Sequence, residues 1–286
     1  MRAGQGRNFM ESNREIFEKV TNELIREMES NPQAWESGMT FIKSIPVNIE
    51  NRPYRGLNVV RLCYEQYQKG FEHNKWITPR KIRFLKGSIK AGEEPSFILN
   101  GDYAPFLKHR TFSSQSVYNI DQVDNLPSKL YENKCSWPID QVGEKLYISA
   151  ECRIIDQFRP TGKHPCYVPA KDTIYQPPKK CFDSTENYYS TLAHEMVHST
   201  LHESRLNRNR SRYEYAYEEL IAEMGACFTC STIGIVGNLE NHASYLKSWI
   251  RALKNDNTLI FRAAKEAQTA ANYLLFRVNK LDKVNP

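Results

Sequence analysis

The sequence predicts an α+β chain of two domains, a small α+β domain followed by a mostly helical domain with a short β-sheet. Three observations lead there. The 286 residues exceed the usual size of one domain, and length divided by about 150 suggests two. The first half mixes short helical stretches, turn residues and one apolar strand, whereas the second is dominated by long helical periodicities. Basic charge collects in the first half, and residues suited to holding a metal collect in the second. The boundary falls between 125 and 145; we place it so that residues 1–130 form the first domain and 131–286 the second.

Residues 14–29, REIFEKVTNELIREME, set Ile16, Val20, Leu24 and Ile25 at helical spacing, and Asn31 with Pro32 stops that helix. A turn at Tyr54 leads into a second helix reaching Phe71, with Asn58 able to cap it and Val59, Leu62, Cys63 and Tyr67 as its apolar stripe. Thr78-Pro79 reads as an N-cap with proline at the first helical position, opening a short helix through Phe84. Gly87 to Pro95 reads as a turn into a strand at Ser96 to Leu99. From 100 to 165 only short alternating pieces stand out, such as Lys145 to Ile148. Tyr167-Val168 and Thr173 to Tyr175 read as a hairpin ended by Pro177-Pro178, after which Ser184 or Thr185 caps a helix running to about His202. Further helices are expected from Tyr213 to about Thr232, Asn241 to Lys254 and Asn257 to Val278.

A hydrophobic share of 40% and an aromatic share of 12% belong to a chain that folds rather than to a disordered one. No run of about 18 apolar residues could span a bilayer. Met1 to Glu11 lacks the apolar centre of a secretion signal, so a cytoplasmic location and no membrane partner are expected. The seven cysteines are odd in number and scattered, which predicts reduced, mostly buried thiols; the pair Cys227 and Cys230 reads as core.

The formal net charge is +6, and its distribution is uneven. From Arg52 to Glu94, ten lysines and arginines face four acids, so this segment alone holds an excess equal to that of the whole chain. Tyr54, Tyr64, Tyr67, Phe71, Trp76 and Phe84 are interleaved with those cations. Single-stranded nucleic acid needs that pairing, because cations follow the phosphates while flat rings stack on unpaired bases. The contact candidates are Arg52, Tyr54, Arg55, Lys75, Trp76, Arg80 and Lys81. A solvated basic face over an aromatic core would give the same composition.

The chemistry-bearing motif is His194-Glu195-Met196-Val197-His198. On a helix, residues four apart differ by roughly 40° in direction, so both imidazoles reach one point and suit a zinc ion. Glu195 faces the edge of the same site, placed to accept a proton from water. A catalytic zinc takes a third protein ligand. Tyr217-Glu-Glu-Leu-Ile-Ala-Glu223 puts Glu219 and Glu223 one turn apart on the next helix. We assign Glu219 as ligand and Glu223 as the acceptor that orients a ligating histidine through its other ring nitrogen, with Glu223 as the alternative ligand. Glu218 is read as pointing away. Tyr213, Tyr215 or His202 could add a donor, while His73, His109, His164 and His242 lack matching partners and read as ordinary positions.

Taken in order, these blocks resemble the ArdC-type antirestriction family, whose members join an N-terminal single-strand-binding domain to a C-terminal zincin-like metallopeptidase domain. In the first half the resemblance rests on ArgProTyrArgGlyLeuAsn (52–58), LysTrpIleThr (75–78) and GlySerIleLysAlaGlyGlu (87–93). In the second it rests on TyrValProAlaLysAspThrIle (167–174), the block 188–198, HisGluSerArgLeuAsnArg (202–208) and the block 217–225, with the tail from 245 to 274. Residues 100–165 match poorly, and Leu201 stands where glycine is common. The resemblance implies zinc held by His194, His198 and an acid of the Glu219 helix, Glu195 as general base, single-stranded DNA as partner, and shielding of incoming DNA from restriction. Two other functions fit the residues: a non-enzymatic single-strand-binding protein with a structural zinc, and a regulatory zinc protease that does not bind DNA. A protein substrate associated with DNA or restriction is expected of the catalytic readings.

Overall fold

A computed structural model describes residues 12–36, 39, 41–104, 109–132, 138–158, 164–208, 215–236 and 243–284. Helix α1 (Asn13–Ser30) starts on a capping box, in which the Ser12 hydroxyl accepts from the Glu15 N–H and the Glu15 carboxylate accepts from the Ser12 N–H. It buries Ile16, Val20, Leu24, Ile25 and Met28, the expected stripe extended by one turn. Next come α2 (Pro32–Glu36), β1 (Val47–Asn48) and α3 (Leu57–Lys69). Asn58 does not cap α3: the N-cap is Gly56, at φ 56°. The Asn58 amide instead donates to the Leu99 carbonyl at 2.9 Å while its oxygen accepts from the Leu99 N–H at 2.8 Å. That pair pins α3 to a strand 41 residues later.

Strand β2 (Lys75–Ile77) leads into α4 (Pro79–Phe84), where the Thr78 hydroxyl accepts from the Lys81 N–H as its cap. Then follow β3 (Ser88–Ile89), β4 (Ser96–Ala104), β5 (His109–Asn119) and β6 (Val123–Asp124). One sheet has the order β1-β2-β5-β4, with β1 parallel to β2 and the other neighbours antiparallel, and β3 pairs with β6 separately.

Residues 145–148 lie in a helix, α5 (Ile139–Ile148), and not in an alternating strand piece; Val142, Gly143 and Leu146 form its buried face. Strands β7 (Arg153–Asp156), β8 (Cys166–Val168) and β9 (Thr173–Gln176) make a third sheet, order β7-β9-β8, with β8 at an edge. The Ser184 hydroxyl caps α6 (Thr185–Ser199), which stops at Thr200, short of His202. Helices α7 (Tyr215–Ile233), α8 (Ala243–Asn255) and α9 (Leu259–Val284) complete the chain. Tyr213, His242 and Cys135 lie outside the described residues.

The main core does not break at residue 130. Leu24, Met28, Trp35 and Val59 belong to one buried cluster with Leu192, Val197, Phe228, Trp249 and Ala267. Helices α1 and α2 pack on α8, and α3 packs on α9. Of the described cysteines, Cys63, Cys227 and Cys230 are buried, Cys152 and Cys166 half-buried and Cys181 exposed. Among the described residues no helix is long and apolar enough to cross a membrane.

Candidate metal centre

Helices α6 and α7 cross where Gly225 meets Val197. A β-carbon at Gly225 would lie 2.9 Å and 3.0 Å from the two Val197 γ-carbons, so the close approach of the backbones depends on that glycine. The crossing sets Glu219 of α7 opposite the i, i+4 histidines of α6. His194 Nε2 and His198 Nε2 are 3.2 Å apart. Glu219 turns one oxygen to each, Oε2 at 3.4 Å from His194 Nε2 and Oε1 at 3.6 Å from His198 Nε2. Bonds of ~2.0–2.1 Å in a tetrahedral shell keep neighbouring ligand atoms roughly 3.3 Å apart, so these three groups already stand at the separations a zinc-sized cation requires. Among the described residues they form the one group of three or more such side chains, with ligating atoms all within 4.8 Å.

Two further carboxylates take the outer edges of the rings. Glu223 Oε2 lies 3.4 Å from His194 Nδ1, and Glu223 is fully buried. Glu218, read from the sequence as pointing away, instead sits 3.1 Å from His198 Nδ1. Glu218 is held in turn by Arg208, whose NH1 donates to Oε2 at 2.8 Å and whose NH2 donates to Oε1 at 2.9 Å. Burial works against charging either ring, yet the carboxylates outweigh it: Glu219 and Glu223 pull His194 up to about 10, and Glu218 and Glu219 pull His198 up to about 9. Burial likewise opposes the Glu219 carboxylate, but the two histidines hold it well below the usual range.

Glu195 is buried beside this cluster, and its Oε2 accepts from the Tyr167 N–H of edge strand β8 at 2.6 Å. The Tyr167 hydroxyl donates to Asp172 Oδ1 at 2.7 Å and accepts from Arg205 NH2 at 3.1 Å. Arg205 also pairs with Asp172 and donates to the Ser199 carbonyl, while Arg208 donates to the Val197 carbonyl. Two arginines therefore satisfy the C-terminal carbonyls of the helix that carries both histidines. Glu218, Arg205, Arg208 and Asp172 were missed from the sequence. The available signal was a pair of arginines closing a helix end, a position where cations are favoured. Tyr215 is 64% exposed, and the His202 ring bonds the Ser204 hydroxyl.

The basic segment divides. Arg52, Arg55, Arg80 and Lys81 are exposed, and Lys81 pairs with Glu50 at 2.8 Å. Lys75 is half-buried, its ammonium donating to the carbonyls of Leu130 and Glu132. Tyr54 is half-buried, and burial pushes its hydroxyl up to about 12. Trp76 is fully buried against Leu62, Ile98 and Val117, with Phe71 edge-on at 6.0 Å, so its ring is not available for stacking on a base.

The model of the N-terminal domain of the anti-restriction factor ArdC matches residues 14–125, and that of a zincin-like metallopeptidase matches residues 150–266. The Mn(II)-bound crystal structure of the antirestriction ArdC protein from plasmid R388 superposes with a TM-score of 0.76 at 34% identity, over 92% of this chain and 97% of that one. The chain belongs to the ArdC antirestriction family. The metal-free structure of the same R388 protein gives a TM-score of 0.75 at 33% identity, again over 92% of this chain. The DNA primase TraC of Escherichia coli is 28% identical over 298 residues, which take in 91% of this chain but only 27% of TraC. An uncharacterized protein, y4eC of Sinorhizobium fredii, is 26% identical over 91% of both chains. The chain thus spans about a quarter of its primase relative and nearly all of the ArdC fold.

Proposed function

We propose that this ArdC-family chain is a single-stranded-DNA-binding, zinc metallopeptidase-like protein that acts in antirestriction and protects the DNA of mobile elements. The observation that carries the reading is the convergence of His194, His198 and Glu219 beside a buried Glu195, in a chain whose other half exposes Arg52, Arg55 and Arg80. Two imidazoles and a carboxylate suit zinc, and the related R388 protein is known with Mn(II), which the same donors accept. Bound zinc supplies Lewis acidity to water and to a substrate carbonyl.

The protein's own groups then have distinct tasks. Glu218 and Glu223 hold the Nδ1 protons, which directs both Nε2 lone pairs inward. Glu219 offsets part of a dication's charge. The Tyr167 N–H fixes one oxygen of Glu195 and leaves Oε1 to take a proton from water and pass it to a leaving amine. The same bond also favours a second reading, in which Glu195 braces β8 and the chain binds DNA without hydrolysing anything.

Replacing Glu195→Gln separates the two. The catalytic reading expects metal binding to survive while peptide hydrolysis falls by about 100-fold or more and protection of incoming DNA in cells is lost. Unchanged protection would sink it in favour of the non-enzymatic version. Neutralising Arg52 and Arg55 should abolish protection if DNA binding matters, and should leave it intact if the chain is a protease that acts without DNA.

A further inference from the structure

Between Pro79 and Gly92 the chain carries five cations and no acid, in a stretch that includes α4 and β3. Two of the five have structural duties: Lys81 pairs with Glu50, and Lys90 donates to the Asp121 carbonyl at 2.6 Å. The side chains of Arg80, Arg83 and Lys86 are exposed and form no ion pair or hydrogen bond among the described residues. Of the six residues of α4, only Ile82 is buried, and it anchors the helix on Ile77, Tyr118 and Val123. Phe84 closes the helix with 78% of its surface exposed. Lys86 stands in a left-handed conformation, φ 59°, which a glycine would adopt with less strain, so an ammonium is kept there at a cost in backbone energy.

An aromatic ring that the core does not use, set among three cations that the fold does not use, asks for a ligand with a flat apolar face and a repeating negative charge. We infer that Phe84 is the base-stacking residue of a single-strand-binding surface, flanked by Arg80, Arg83 and Lys86 as phosphate contacts. The inference rests on the DNA-binding reading above and replaces its buried aromatic, Trp76, with one that a base can reach. The Glu50–Lys81 ion pair joins α4 to the turn that carries Arg52 and Arg55, which continues the basic face to those cations. Unpaired bases are required, since a duplex offers its faces only at the ends. A membrane fits less well, because one phenylalanine on a six-residue helix is far short of an amphipathic insertion face.

The test is fluorescence anisotropy of a labelled oligothymidylate with the full chain at two salt concentrations, with duplex DNA and phosphatidylserine vesicles as competitors. Phe84→Ala should weaken binding by about 5- to 100-fold with the salt dependence unchanged, and Phe84→Trp should keep it. The double variant Arg80→Gln, Arg83→Gln should instead lower the slope of log affinity against log salt by about 1.4. Binding by the wild type that Phe84→Ala leaves untouched overturns the inference and spares the DNA reading. No oligonucleotide binding by the wild type at low salt overturns both, and binding of the vesicles but not of the oligonucleotide shows the patch to be a membrane contact.

Discussion

Each histidine of the candidate centre turns one ring nitrogen to the shared point and gives the other to a carboxylate, and this decides what happens to protons when a metal enters. The surrounding carboxylates pull His194 up to about 10 and His198 up to about 9, so the cluster favours bound protons while no cation is present. A dication must displace protons from the Nε2 atoms, so titration at pH 7 should release protons as the ion binds. Calorimetry in buffers of different ionisation enthalpy measures the number; a value near zero contradicts the arrangement. Both pKa values are raised on folding, so the metal-free protein keeps this stabilisation below the ordinary histidine value and loses it as pH rises through about 9 to 10. The pairing of His194 with His198, and of Glu219 with Glu223, was legible because residues four apart share one face of a helix. Glu218 was not, since adjacent helical residues diverge by roughly 100°. The two nitrogens of one imidazole also face in different directions, however, and Glu218 and Glu219 straddle the ring of His198 at 3.1 Å and 3.6 Å.

At the scale of elements, the centre depends on the distance between α6 and α7. In Gly225→Ala the new methyl meets Val197, so stability should fall by about 1–3 kcal/mol and metal affinity should fall with it. Adding Val197→Ala should recover part of both, since the two sites are coupled. Thermal unfolding and metal titration of the three variants read this out, and additive losses would contradict it. The long helices and the hairpin of β8 and β9 were readable from periodicity. Helix α5 was not: Lys-Leu-Tyr-Ile alternates over four residues, and only the wider spacing of Val142, Gly143 and Leu146 shows the helical face. Trp76 shows a related limit. Neighbouring residues of a strand face opposite ways, which normally exposes one of them, yet β2 runs between two cores, with Trp76 in one and Ile77 in the other. Composition places cations beside rings; it does not say which rings the sheet covers.

Over the whole molecule, the two domains share one continuous main core. Trp35 and Val59 share it with Trp249 and Ala267, and Thr21 donates to the Asn257 carbonyl at 2.7 Å across 236 residues of chain. Unfolding should therefore be one cooperative calorimetric transition, shifted upward as a whole by added metal; two separable transitions would refute the shared core. A bound metal would link the fold to any chemistry the chain performs, and the proposed ligand set of His194, His198 and Glu219 is the claim on which the rest stands. The most direct test is zinc titration against a competing chelator for the wild type, Glu219→Gln, Glu223→Gln and Glu218→Gln. We expect one ion per chain, binding weakened only about 10- to 100-fold by the Glu218 and Glu223 changes, and a far larger loss with Glu219→Gln. Wild-type affinity in Glu219→Gln would contradict the account.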